Sequence, residues 1–110
     1  MEINKLVQEA HENAVNKGFW DDYRKAISSD SPEKLINVYI SQFLMLIVSE
    51  LSEAQDGLRH GNYDNFKEEL ADVAIRLADL CGGLEIDLEY EITKKMERNK
   101  NRPYKHGKQF

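Results

Sequence analysis

Residues 31–58 read SPEKLINVYISQFLMLIVSELSEAQDGL. Ser31 followed by Pro32 is the pattern of an N-cap with proline at the first helical position, and the spacing then stays helical to about Leu58. At 1.5 Å per residue, some 26 helical residues reach about 39 Å, which is long for a chain of 110. The centre, FLMLIV at 43–48, is apolar on every side, so more than one face of this helix must be covered. A partner subunit is the economical cover.

Working outward, residues 2–17 place Ile3, Leu6, Val7, Ala10, Ala14 and Val15 at helical spacing, with Gly18 as the stop. FWDDYRKAISSD at 19–30 reads as a loop. On the other side, Asn65 with Glu68 resembles a capping box. Phe66, Leu70, Val73, Ala74, Leu77 and Cys81 then form a helical stripe that Gly82-Gly83 ends. Asp87 can cap a further helix through Leu88, Ile92 and Met96 to about Lys100, and Pro103 and Gly107 make the remainder irregular. There is no internal repeat, low-complexity segment or convincing strand. The expected fold is therefore all-α, with four main helices per chain in a bundle completed by oligomerisation. Residues 1–110 are expected to form one domain, with a basic arm at about 101–110.

Composition narrows the function. The single cysteine, Cys81, excludes a disulfide framework and fits a reducing, cytoplasmic setting. The N-terminus lacks a basic-then-apolar signal pattern, and the longest apolar run is six residues, so no membrane partner is expected. Charge is unevenly spread: residues 1–93 hold 8 Lys+Arg against 19 Asp+Glu, a net −11, whereas residues 94–110 hold 7 against 1, a net +6. Such an acidic body repels a long polyanion, which argues against duplex nucleic acid. A small, highly charged ligand that needs both cations and a metal fits better.

The carboxylates offer ligands for that metal. Glu50 and Glu53 lie three apart on the long helix, and stepping back from Glu50 gives Ile47, Phe43, Ile40 and Ile36, so Glu50 continues a buried stripe. An unpaired carboxylate there is costly. Glu69 and Asp72 repeat the spacing on the next helix, with Arg76 and Asp79 extending that stripe. If the two helices face each other, four carboxylates converge, which is unfavourable without a cation. All-oxygen ligation selects Mg²⁺, or Mn²⁺, over zinc or copper. A di-iron bundle would need Glu-x-x-His, but Gln8, Gly57 and Pro103 stand three before His11, His60 and His106. The bland alternative is two solvated acidic helix faces.

Glu50-Leu-Ser-Glu53, fifteen residues, then Glu69-Leu-Ala-Asp72 resembles the paired E-x-x-E and E-x-x-D helices of the MazG-like, all-α nucleoside triphosphate pyrophosphohydrolases. Lys95-Met-Glu-Arg-Asn99 and the ending Arg102-Pro-Tyr-Lys-His-Gly-Lys108 look like the C-terminal motif of small phage and bacterial members. His11 and Phe19-Trp20 look like the base-contacting region of the dCTPase-type branch. The resemblance implies a homo-oligomer, dimer or tetramer, that hydrolyses a nucleoside triphosphate to the monophosphate and pyrophosphate with Mg²⁺. It implies Glu50, Glu53, Glu69 and Asp72 as metal ligands and catalytic residues, and Lys95 and Asn99 as phosphate or sugar contacts. House-cleaning of non-canonical nucleotides is one role for such an enzyme. dUTPase-like and phosphoribosyl-ATP pyrophosphohydrolase activities are alternatives within the class, and a non-catalytic nucleotide- or metal-binding regulatory protein is the alternative outside it.

Several residues keep two readings. Glu53 is favoured to orient or deprotonate the attacking water. Arg102 and Lys108, with Lys95, are either cations for the leaving pyrophosphate or a solvated basic tail. Tyr104 and His106 are assigned by resemblance alone. Trp20 is either a base-stacking face or a core anchor, and His11 either a base contact or a core-edge histidine. One departure is visible: several relatives carry an aromatic residue four after the final metal-binding Asp, where this chain has Arg76, which leaves the sugar and base contacts there unassigned.

Overall fold

The computed structural model describes residues 2–28 and 33–110. Five helices follow one another: α1 (Ile3–Asn16), α2 (Asp21–Ser28), α3 (Glu33–Arg59), α4 (Tyr63–Gly83) and α5 (Leu88–Lys100). A 3₁₀ turn, Tyr104–Gly107, follows in the arm. The described residues contain no strand, so the all-α expectation holds.

The count of helices does not, because α2 occupies the segment read as a loop. Its sequence is strongly polar, but Asp21 and Asp22 sit in the first turn, where they complement the helix dipole. Tyr23 and the buried Ala26, at a spacing of three, give it an inward face. The expected cap at Ser31-Pro32 lies outside the described residues. The start of α4 also differs. Asn62, not Asn65, is the N-cap, and its side chain accepts a 3.0 Å hydrogen bond from the Asn65 backbone N–H. Asp87 caps α5 as expected, accepting from the Tyr90 N–H at 3.0 Å. Gly18 follows the end of α1 with φ +86°, a conformation glycine adopts without strain.

Only three residues, 60–62, join α3 to α4, so the two long helices form an antiparallel hairpin, the main packing pair. Helix α1 packs against α4, α2 leans on α3, and the chief partner of α5 is α1. The core centres on Ala14, Trp20 and Leu80, with Ile40, Phe43, Ile47 and Leu84 packed around it. Trp20 fits because Gly83 has no side chain: a Cβ there would stand 2.0 Å from the indole ring. Gly82-Gly83 thus do more than end a helix, since they admit Trp20 and His11 against α4.

On α3 the inward stripe is the one read from the sequence: Ile36, Ile40, Phe43 and Ile47 are half-buried, and Glu50 and Ala54 are buried. The opposite side is open, with Leu44, Met45 and Val48 about half exposed. On α4 the polar line Glu69, Asp72, Arg76 and Asp79 is partly or fully buried, as its spacing suggested, whereas the apolar stripe is only partly covered: Phe66 and Val73 are half-buried and Cys81 is buried, but Leu70 and Leu77 are exposed.

Candidate metal centre

Glu50 owes its burial, with 9% of its surface exposed, to its place three residues after Ile47 on the inward face of α3. Across the hairpin, Glu69 and Asp72 on α4 are half-buried. Carboxylate oxygens of Glu50, Glu69 and Asp72 lie within 4.8 Å of one another. Glu53 stands outside this group of three and is exposed, although its carboxyl contributes to the pKa shifts of both Glu50 and Glu69.

The electrostatics of the three are unequal. Arg76 donates its Nε–H to Glu50 Oε1 at 2.8 Å, and this guanidinium holds the Glu50 carboxyl below its ordinary 4.5 against the opposing effect of burial. Among the described residues, no cation pairs with Glu69 in this way. Its pKa is pushed up from 4.5 to about 7, first by hydrogen bonding to Glu50, then by burial, and then by Glu53. Its Oε2 is buried and makes no hydrogen bond. An acceptor in that position is what a cation would satisfy.

Beside these carboxylates lies a cleft of about 290 Å³. Asp72, Arg76 and Asp79 of α4 line one side, Phe43 and Glu50 of α3 another, and Asn13 and Phe19 complete it. Phe19 is 54% exposed, and the Arg76 guanidinium carbon stands 5.9 Å from the centroid of its ring.

Of the two readings of Trp20, the structure shows the core anchor. The side chain is 1% exposed, stacks on Phe43 at 4.2 Å between ring centroids, and donates its indole N–H to Asp79 Oδ1 at 2.7 Å. No exposed face is left for a base. His11 is a core-edge residue whose Nδ1 meets the same oxygen at 3.0 Å. An ionised Asp79 can only accept, so Nδ1 is then the protonated nitrogen. The exposed aromatic ring at the cleft is Phe19, one residue before the tryptophan singled out from the sequence.

The basic arm is elsewhere. Lys95 lies along a separate surface groove with Glu91, Ile92 and Met96. Asn99 is half-buried, and its Oδ1 has no hydrogen-bond partner. Arg102, Tyr104, His106 and Lys108 are exposed. None of these six residues lines the cleft. The sequence placed Arg76 and Asp79 on the correct stripe but gave neither a partner. Their spacing of four and seven from Asp72 was the available signal.

No family model matches the chain, and neither does a curated protein or a solved structure.

Proposed function

We propose that this chain is a divalent-metal-dependent nucleoside triphosphate pyrophosphohydrolase of the MazG-like kind. The observation that carries the reading is the meeting of Glu50, Glu69 and Asp72 within 4.8 Å, with one buried oxygen unpartnered, at the edge of a cleft. An all-oxygen donor set of this charge fits Mg²⁺ or Mn²⁺. Bound there, such an ion would neutralise phosphate oxygens and polarise the α-phosphorus.

The chain's own residues take the remaining tasks. Glu50, Glu69 and Asp72 hold the cation, and Glu69 gives up its proton to do so. Glu53, at the exposed rim, is free to orient or deprotonate a water. Phe19 offers a ring face to a base, as exposed aromatic side chains do. The cations of the arm, Lys95 among them, meet the phosphates within a homo-oligomer rather than within one chain.

The Glu50–Arg76 ion pair favours a second reading, a regulatory protein that binds nucleotide without turnover, because it occupies one of the three carboxylates. A panel of canonical and modified nucleotides, including dUTP and phosphoribosyl-ATP, separates the two. With Mg²⁺, pyrophosphate and a nucleoside monophosphate are expected in equal amounts from at least one substrate. Binding without release would favour the regulatory reading, and no binding would exclude both.

A further inference from the structure

Arg76 sits in an arrangement that neither a pure ion pair nor an open ligand site explains. Its Nε is committed to Glu50, yet the side chain remains about one-third exposed and lines the cleft. A guanidinium carries five N–H donors. Among the described residues, the terminal nitrogens of Arg76 donate no hydrogen bond, which leaves them open to solvent and to an anionic ligand in the cleft. Phe19 supports the guanidinium through cation–π attraction on the cleft side. Arginine cannot lose its charge. A divalent cation taking Glu50 therefore meets a fixed positive group 2.8 Å from one of its two carboxylate oxygens.

We propose that Arg76 is an exchangeable counter-ion, neutralising Glu50 in the metal-free chain and passing to an anionic oxygen of the bound triphosphate when a divalent cation takes Glu50. The inference rests on the proposed metal centre and adds an order to it. Metal alone binds against the guanidinium, whereas metal with triphosphate gives the guanidinium a new partner, so the two ligands bind synergistically. Phe19 keeps the side chain over the cleft during the exchange.

The test compares wild type with Arg76→Met and Arg76→Gln, the latter keeping a donor for Glu50 without the charge. Mn²⁺ binding is read by electron paramagnetic resonance, and binding of the Mn²⁺ complex of inorganic triphosphate by calorimetry. This probe contains only what all nucleoside triphosphates share. Both variants should bind Mn²⁺ alone about 10-fold more tightly than wild type and the triphosphate complex about 10-fold more weakly, within the usual range of coupling between sites. A merely structural Arg76 would shift both affinities in the same direction. Losses in both measurements, or no change in either, overturn the exchange while leaving the metal centre standing. Failure of wild type and variants alike to bind Mn²⁺ overturns the metal centre and the exchange together.

Discussion

At position 69 hydrogen bonding to Glu50, then burial, then the neighbouring Glu53 push the carboxyl up to a pKa of about 7. The folded, metal-free chain therefore holds a proton there that the unfolded chain has released. Its stability falls as pH rises from about 4.5 to 7, because the unfolded state binds fewer protons in that window. Glu50 contributes with the opposite sign: its lowered pKa stabilises the fold above 4.5, and that contribution is lost as pH drops below this value. Thermal denaturation in the presence of a chelator should thus show a decline in Tm between pH 5 and pH 7.5. Glu69→Gln should abolish the decline, keep or raise the Tm at pH 7.5, and lose Mn²⁺ binding. Because a bound ion requires the ionised carboxylate, wild-type Mn²⁺ affinity should climb with pH and level off above about 7. A Tm for Glu69→Gln that falls with pH as steeply as that of wild type would place the titrating group elsewhere.

Among the elements, the packing of the α1–α2 connection on α4 depends on a missing side chain. An alanine in a helix gains about 1 kcal/mol over glycine in propensity. At position 83, however, the added Cβ would overlap the Trp20 ring, which is held by Phe43 and Asp79 and has no room to retreat. Overpacking of this kind costs about 1–3 kcal/mol or more. Gly83→Ala should therefore be destabilising, lowering Tm by several degrees at about 4–8 °C per kcal/mol. A higher Tm would show that the propensity gain wins. Sequence reading found the two glycines but gave them a helix-ending role, because the approach of Trp20 is a long-range fact that local spacing does not encode. The Glu50 stripe was legible because helical period alone puts Ile36, Ile40, Phe43 and Ile47 on its face. Helix α2 was not: its polar sequence hides an inward face of two residues, Tyr23 and Ala26. The same limit applies to the site. Repeated spacing grouped Glu50, Glu53, Glu69 and Asp72, of which Glu53 stands outside the cluster of three, and the partner of Arg76 is set by the register between α3 and α4.

The molecule as a whole is too open for its length. Its radius of gyration is 16.7 Å, where a compact chain of this size has about 13 Å. By length and hydropathy, Leu35–Arg59 is apolar enough to cross a membrane, although its longest uninterrupted apolar run is short. The hairpin with α4 buries only the Glu50 side, leaving Leu44, Met45, Val48 and Leu51 in the open. A second copy presenting the same face would cover them, and in a two-fold interface each residue is buried twice. At about 1.5–3 kcal/mol for each fully buried apolar side chain, Met45, 59% exposed in the single chain, contributes about 2–3.5 kcal/mol over the two copies of a dimer. Met45→Asp should then weaken association by about 10 to 10³-fold and add the cost of burying two like charges. In light scattering at micromolar concentration without detergent, wild type should be a dimer or tetramer and Met45→Asp a monomer. If, as proposed, the basic arm meets the phosphates only between copies, pyrophosphate release should fall with the loss of assembly. A wild-type monomer would sink the assembly, and a wild-type protein that stays in solution only with detergent would give the α3 face to lipid instead.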